Sequence, residues 1–252
     1  MQAHFLTDVG QIRSHNEDSG GIFFNKAGQM LAIIADGMGG HQGGEIASQL
    51  AIDLIQTQWE SVTEFTSPKD LEDWITENVQ ETNETVYNQS KQKSDLEGMG
   101  TTIVLAVCMD EFITIAHIGD SRCYIYKNDE FKQITQDHSL VNELIRTGQI
   151  SMDDAEFHPR KNVLVRALGT EPTVNCEIQT MEWENENKIL LCSDGLSNKI
   201  ADKELEDYIR KPEEISEIAK QLIDLANERG GEDNISLAIV HHGSSSRAGE
   251  KT

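Results

Sequence analysis

Four aspartates flank short apolar segments that are typical of buried strands. Asp36 follows MLAIIA, Asp120 follows TIAHIG and Asp194 follows ILLCS, whereas Asp233 stands two positions ahead of ISLAIV. A carboxylate at the end of a strand is held in place while its oxygens still reach solvent. If the strand ends meet, the carboxylates repel one another unless a cation lies between them. Oxygen ligands favour Mg²⁺ or Mn²⁺, and a water held between two such ions is activated toward hydroxide.

Two of these aspartates precede glycine, and Asp-Gly is also a common pair in hairpin turns. A hairpin needs a returning strand directly after the turn. Asp36-Gly37 is followed instead by MGGHQGG and a helical pattern, and Asp194-Gly195 by a polar stretch and the helical segment DKELEDYI. The sequence therefore favours cation ligands over turn residues at these two positions.

A second motif lies near the start of the chain, where Arg13 is followed by Glu17 and Asp18 within RSHNED. In so acidic a chain, a simple salt bridge is one interpretation of this arginine. The functional interpretation makes Arg13 a bidentate clamp for a phosphoryl group, because its planar guanidinium matches two phosphoryl oxygens. Glu17 and Asp18 would then orient metal-bound water. Both interpretations remain open on these residues alone.

The glycine-rich segment 37–44 invites comparison with nucleotide-binding loops. It lacks the lysine of a phosphate-binding loop, and no acidic residue follows a clean second strand at the spacing of a dinucleotide-binding fold. Glycines also allow a backbone carbonyl to approach a cation closely. We therefore interpret this segment as one that brings a carbonyl, such as that of Gly37, to the cation.

Composition limits the partners of the chain. It has 252 residues, with 21 Lys and Arg against 44 Asp and Glu, and a formal net charge of −23. Such a charge repels nucleic acids and anionic lipid surfaces, and it repels a phosphorylated substrate unless cations reverse the sign locally. The four cysteines form no C-x-x-C pair, so neither a disulfide framework nor a zinc site is predicted. Without a signal or membrane-spanning pattern, we expect a monomeric cytoplasmic protein.

Segments rich in Ile, Val and Leu occur in groups that are separated by helical patterns. The predicted strands are 30–35, 102–107, 112–118, 123–126, 188–192 and 235–240. Apolar residues recur at helical spacing in EIASQLAIDLI, after Ser67-Pro68 and over 214–228, which predicts three helices. Because the helices cluster between groups of strands, an α+β fold in one large domain is favoured over a doubly wound parallel sheet. The polar tail over 243–252 is predicted to be disordered.

Seven motifs occur in a characteristic order, namely RSHNED, ADGMGGHQGGE, GMGTT, AHIGDSR, ITQDHS, LCSDGLS and DNIS. In this order the chain resembles the metal-dependent Ser/Thr protein phosphatases of type 2C, the PPM family, and most of all its compact bacterial members. The resemblance extends from Phe5 to about Val240. It implies a four-layer αββα sandwich, in which two mostly antiparallel sheets are flanked by helices. It also implies a catalytic domain over residues 1–242 with a flap at about 144–166.

The resemblance assigns a site for two Mn²⁺ or Mg²⁺ ions. By position, Asp36 would bridge both ions and the Gly37 carbonyl would bind one of them, while Asp194 and Asp233 would complete the other. Bacterial members often hold a third ion, and Asp120 and Asp194 match its ligands.

Further positions match the residues that handle water and phosphate in the family. Glu17 and Asp18 would hold metal-bound waters, and Arg13 matches the phosphate-binding arginine. Eukaryotic members place a histidine, the favoured general acid, two residues after the bridging aspartate. Here that position is Met38, and the nearest histidine is His41. Protonation of the leaving group by His41, protonation by a metal-bound water and a packing role for His41 all remain open.

The flap region carries a local concentration of positive charge. Its basic residues are Arg146, Arg160, Lys161 and Arg166. They are predicted either to contact substrate or to be solvated surface charges. His138, within QDHS, is predicted to have a structural role.

The resemblance implies hydrolysis of phosphoserine and phosphothreonine in proteins by attack of a metal-bridging hydroxide, with no phosphoenzyme. The substrates would be those of a cognate Ser/Thr kinase, and the kinase itself. One alternative is a catalytically silent relative that acts as a regulatory binding module, which loss of a metal aspartate would favour; none is lost. Another alternative is a cation-binding protein without chemistry, but the chain has no EF-hand loop.

Overall fold

The computed structural model describes residues 1–39, 42–156 and 158–243. Its strands are β1 (Gln2–Asp8), β2 (Asp18–Phe24), β3 (Met30–Met38), β4 (Gly100–Thr101), β5 (Ile103–Cys108), β6 (Phe112–Ile118), β7 (Arg122–Lys127), β8 (Glu130–Gln133), β9 (Glu177–Glu182), β10 (Lys188–Cys192) and β11 (Ile235–His241). One sheet has the order β1–β11–β10–β7–β8 and the other the order β2–β3–β5–β6–β9, with β4 paired to β3. All neighbouring strands in both sheets run antiparallel.

The remaining regular elements are helices. They are α1 (Gly43–Ser61), α2 (Pro68–Gln92), α3 (Leu140–Arg146), α4 (Met152–Glu156), α5 (Asp194–Ser197), α6 (Asp202–Ile209) and α7 (Ile215–Glu228). The helices α1 and α2 pack on the sheet that contains β3, whereas α5, α6 and α7 pack on the sheet that contains β11. None of the described helices is both long enough and apolar enough to span a bilayer.

Alternating side chains on the central strands build three apolar layers. On β3, Leu31 and Ile33 belong to the core beneath α1 and α2, whereas Ala32 and Ile34 belong to the core between the two sheets. A third core lies between the sheet that contains β11 and α7. Because successive strand residues point to opposite faces, a continuous apolar strand fits a sheet that is buried on both sides. The predicted four-layer αββα sandwich is confirmed.

Strand β3 differs from its prediction at the site end of the molecule. The strand predicted at 30–35 continues to Met38, because Gly37 and Met38 pair with Thr101 and Gly100 of β4. Asp36 therefore lies within the strand and not after it. The predicted flap consists of α3, α4 and connecting loops, and Ser139 forms an isolated bridge with Leu164 at its base. Gly243 is the one residue of the predicted tail that the structure describes.

Candidate metal centre and phosphate site

Asp36 stands on a backbone that is fixed by two threonines. Its N–H donates to Thr102 Oγ1 at 3.0 Å, and its carbonyl accepts from the Thr102 N–H at 2.8 Å and from Thr101 Oγ1 at 2.9 Å. The side chain of Asp36 is half-buried. The carboxylate therefore starts from a rigid position and remains open to the surface.

Gly37 permits the close approach that brings α1 to this strand. A Cβ at Gly37 would lie 2.1 Å from the carbonyl oxygen of Gly44 and 2.6 Å from that of Glu17. The Gly37 N–H donates to the same Glu17 carbonyl at 3.0 Å, and Ser48 Oγ on α1 donates to it at 2.6 Å. These contacts explain Gly37 and Gly44 by backbone packing, so a nucleotide-binding loop is not needed to account for these two glycines.

Asp194 is the first residue of α5, and only Ser193 separates it from β10. Asn198 Nδ2 donates to Asp194 Oδ2 at 3.0 Å. The next residue, Gly195, packs against β11, because a Cβ there would lie 2.0 Å from the Asn234 carbonyl oxygen. This packing brings the start of α5 beside Asp233, which precedes β11. Two predicted ligands from distant parts of the sequence are thus neighbours in the fold.

Arg13 forms a salt bridge with Asp233. Its Nη2 lies 2.9 Å from Asp233 Oδ2, and both side chains are nearly half exposed, at 47% and 41%. Asn234 holds the loop that contains Arg13. Its Nδ2 donates to two backbone carbonyls of that loop, and its Oδ1 accepts from the Glu17 N–H at 2.8 Å. The salt-bridge interpretation of Arg13 is therefore realised in this structure. Because a guanidinium has five N–H groups, this contact leaves donors for a phosphoryl group.

The predicted carboxylates share one electrostatic environment. Burial raises the pKa of Asp36 well above its ordinary value, and the charges of Asp18, Asp194, Asp120 and Asp233 raise it further. Asp18 pairs in register with Asp36 across β2 and β3. Such mutual repulsion destabilises the ionised cluster and favours binding of a cation.

Two of these carboxylates have pKa values near neutrality. Burial raises the pKa of Asp18 to about 7, with the charges of Asp194 and Asp233 adding to the effect, although Ser193 Oγ donates to Asp18 Oδ2 at 2.8 Å. Burial and the charge of Asp194 likewise raise the pKa of Asp120 to about 7. The pKa of Glu17 is also raised, first by burial.

The oxygen donors of the cluster suit hydrated divalent cations. No three of these described carboxylates place oxygens within 4.8 Å of one another. Because the ligand atoms of one ion lie within this distance, binding of three of these carboxylates to one Mg²⁺ or Mn²⁺ requires their side chains to move closer, and waters supply the rest of the coordination shell. The residues therefore fit the divalent cations that the sequence predicts.

We expect Asp18→Asn to stabilise the metal-free protein, with a gain that grows as the pH rises from about 4 to above 7. The folded pKa of Asp18, about 7, exceeds the ordinary value of 3.8, so ionisation in this range favours the unfolded chain. At about 1.4 kcal/mol per pKa unit, the gain reaches a few kcal/mol at pH 8. Melting of wild type and variant in EDTA across this range measures it.

The difference in melting temperature between the two proteins reports on Asp18, because both proteins contain the same histidines. Three of these histidines have lowered pKa values, which give the opposite pH slope. A melting-temperature difference that stays constant or shrinks with pH would contradict the burial of an ionisable Asp18.

A cavity of about 550 Å³ adjoins the carboxylates. Asp120 and Asp194 line it, together with Lys161 and Asn162 from the predicted flap and Glu204 from α6. It connects the predicted metal centre with the flap, and it is large enough for several side chains of a peptide.

The basic residues of the flap have different surroundings. Arg146 pairs with Glu143 at 2.7 Å on α3, and Arg166 lies 3.2 Å from Glu177 on β9. Lys161 is exposed and lines the cavity. Of these three residues only Lys161 lines the cavity, and its contact with substrate stays a prediction.

The structure gathers most of the predicted site residues at one end of the two sheets. Asp18, Asp36, Asp120, Asp194 and Asp233 interact electrostatically, with Glu17 and Arg13 beside Asp233. His41 lies outside the described residues.

Several residues that hold this site in place were not predicted. They are Thr101, Thr102, Ser193 and Asn234. Each stands within one of the seven motifs, and Ser193 and Asn234 also adjoin predicted ligands in the sequence, which was the available signal.

Comparisons with known proteins agree with this arrangement. A family model described as Protein phosphatase 2C matches residues 11–235. The chain is 45% identical over 240 residues to Serine/threonine phosphatase stp of Listeria welshimeri, covering 95% of each protein. The solved serine/threonine phosphatase of S. agalactiae is 36% identical with a TM-score of 0.91, covering 95% of this chain and 98% of that one.

A further solved structure contains metal. It is the catalytic domain of the serine threonine protein phosphatase PstP in complex with 2 manganese ions, 32% identical with a TM-score of 0.81, covering 94% of this chain and 96% of that one. Together with the fold and the gathered carboxylates, these matches show that the chain belongs to the protein phosphatase 2C family.

Proposed function

We propose that this protein is a metal-dependent phosphatase that hydrolyses phosphoserine and phosphothreonine in proteins. The observation that carries the proposal is the convergence of Asp18, Asp36, Asp120, Asp194 and Asp233 into one electrostatic cluster. The salt bridge from Arg13 to Asp233 brings a guanidinium to the same place. Support also comes from relatives named serine/threonine phosphatases, which match nearly the whole chain.

The cluster would hold Mn²⁺ or Mg²⁺. We assign Asp36 and the Gly37 carbonyl to one ion, and Asp36, Asp194 and Asp233 to a second. Asp120 and Asp194 would serve a third. The relative that contains 2 manganese ions supports the choice of metal and the number two. When bound, these cations supply charge neutralisation and a nucleophilic water at neutral pH.

The chain's own residues bind and orient the reactants. Arg13 would donate two N–H groups to phosphoryl oxygens and stabilise the charge that develops on them. Its contact with Asp233 at 2.9 Å uses one N–H of the guanidinium and leaves the others for the phosphoryl group. The Asp18 carboxylate accepts from Ser193, and the Glu17 backbone N–H donates to Asn234, and from these positions both carboxylates would orient water. None of these roles requires a Cys or Ser nucleophile.

His41 is our candidate for the general acid. We expect His41→Gln to lower kcat for a phosphothreonine peptide by roughly 10²-fold, because an alkoxide is a poor leaving group without a proton. Turnover of p-nitrophenyl phosphate should change little, since its leaving group is stable as an anion. Parallel assays of both substrates with both proteins measure this difference. An equal effect on the two substrates would exclude proton donation by His41.

We place the protein part of the substrate in the cavity that runs from Asp120 and Asp194 to the flap. Lys161 would meet acidic or phosphorylated segments there, because it is a cation at the edge of a strongly acidic molecule. A cognate Ser/Thr kinase and its targets are the expected partners. A single catalytic domain over 1–242, with the flap at about 144–166, a monomeric state and a cytoplasmic location remain predictions.

Phosphate release from phosphoserine and phosphothreonine peptides in the presence of Mn²⁺ tests the proposal, with a phosphotyrosine peptide as comparator. We expect turnover of the first two and much slower turnover of the third. Binding of the peptides without phosphate release would instead favour the catalytically silent binding module.

A further inference from the structure

His138, between β8 and α3, holds the peptide that precedes Asp120. The Gly119 N–H donates to His138 Nδ1 at 3.0 Å, and the Gly119 carbonyl accepts the His138 backbone N–H at 2.9 Å. Gly119 has a φ of +105°, and a Cβ there would lie 2.6 Å from Thr102 Cγ2. Thr102 in turn binds the backbone of Asp36. The chain therefore enters Asp120 from a peptide that is held on two sides.

The other ring nitrogen of His138 leads to the base of the flap. Because the Gly119 N–H is a donor, Nδ1 is unprotonated and the neutral ring carries its proton on Nε2. Nε2 lies 3.0 Å from Glu177 Oε1, which also accepts from Arg166 Nη1 at 3.2 Å. The Val165 N–H donates to the His138 carbonyl at 2.9 Å. One imidazole thus connects the Asp120 peptide with the segment where the flap ends.

This histidine cluster is a hydrogen-bond network and not a second metal site. Among the described residues, His117, His138 and Glu177 place possible ligand atoms within 4.8 Å of one another. The two imidazole rings stack with centroids 4.6 Å apart, and their nitrogens are already engaged, since His117 Nε2 bonds to the Gln136 carbonyl at 2.9 Å and His138 Nδ1 to the Gly119 N–H. The Arg166 guanidinium lies 3.1 Å from His138 Nε2 and repels a cation there.

We propose that His138 is a positioning residue that orients Asp120 toward a divalent cation and couples Asp120 to the base of the flap through Glu177 and Arg166. This inference rests on the proposed function, which makes Asp120 a metal ligand. Hydrogen bonds that orient a ligand change metal affinity by about 10- to 100-fold when they are removed. The effect of His138 is therefore expected in the Mn²⁺ dependence of the protein.

Two substitutions separate the two ends of the imidazole. His138→Asn places an amide oxygen on Cγ, where Nδ1 stands, and so keeps an acceptor for Gly119. His138→Gln moves the amide one atom further and removes that acceptor. We expect His138→Gln to raise the half-saturating Mn²⁺ concentration by about 10- to 100-fold, in phosphopeptide turnover and in the weakest Mn²⁺ binding step by calorimetry. His138→Asn should remain near wild type, and KM at saturating Mn²⁺ should be unchanged in both.

The Asp120→Asn background provides a second test. If His138 acts through Asp120, His138→Gln causes no further loss of Mn²⁺ affinity in that background. Equal Mn²⁺ affinity of wild type and His138→Gln, or equal impairment of the Asn and Gln variants, would overturn the inference. Melting temperatures of the two variants identify a general folding defect. Such a defect would not depend on whether the substituted side chain keeps an acceptor for the Gly119 N–H. Absence of Mn²⁺-dependent turnover in the wild type would instead contradict the proposed function itself.

Discussion

Asp36→Asn is expected to lower kcat for a phosphothreonine peptide by at least about 10³-fold, because bridging cations contribute several kcal/mol to such a reaction. The same substitution is expected to raise the melting temperature of the metal-free protein. Asn has the size of Asp but no charge, so it removes the repulsion that Asp36 experiences from Asp18, Asp194, Asp120 and Asp233. Initial rates with Mn²⁺ and thermal melts in EDTA measure the two effects.

Asp53→Asn is the matched control, since Asp53 is an exposed residue of α1 and the substitution removes the same charge. We expect its turnover and melting temperature to stay near those of wild type. If Asp36→Asn retained more than a tenth of wild-type turnover, Asp36 could not be the shared ligand of the cations. Loss of turnover together with a lower melting temperature would indicate a folding defect.

Arg13→Ala is expected to lower kcat/KM for the phosphopeptide by about 10- to 100-fold, mainly through a higher KM. Hydrogen bonds to a charged group contribute about 1.5–3 kcal/mol each, and Arg13 is the cation next to Asp233. Inhibition by inorganic phosphate should weaken in parallel, because the product phosphate uses the same guanidinium. Steady-state kinetics with added phosphate measure both quantities.

Arg13→Lys separates charge from geometry. Lysine keeps the positive charge near Asp233 but lacks the planar pair of donors, so an intermediate kcat/KM is expected. If Arg13→Ala changed neither KM nor phosphate inhibition, the salt bridge with Asp233 would be the whole role of Arg13.

The fold was predictable where strands are apolar on both faces. The segments at 112–118 and 188–192 form strands with those bounds, because both lie in the buried middle of a sheet. Strands β1, β2, β8 and β9 were not predicted. These four strands are the edges of the two sheets, and each is partly exposed. Polar side chains and glycines therefore interrupt their apolar pattern.

The site was predictable in its residue types and not in its contacts. The acidic residues stand at recognisable positions within motifs, whereas the pairing of Arg13 with Asp233 joins residues that are 220 positions apart. No periodicity in the sequence encodes that contact. The same holds for His138, whose structural role was predicted from its motif but whose contact with Gly119 depends on how β6 and the flap meet.

Phosphate release from a phosphothreonine peptide during an Mn²⁺ titration, for wild type and Asp194→Ala and with EDTA as the zero point, tests the central claim most directly. We expect the wild type to be inactive in EDTA and to gain turnover with Mn²⁺. At any Mn²⁺ concentration, turnover by Asp194→Ala should be at least about 10³-fold lower than turnover by the wild type. Turnover by the wild type in EDTA, or full turnover by Asp194→Ala, would contradict catalysis by cations held in this carboxylate cluster.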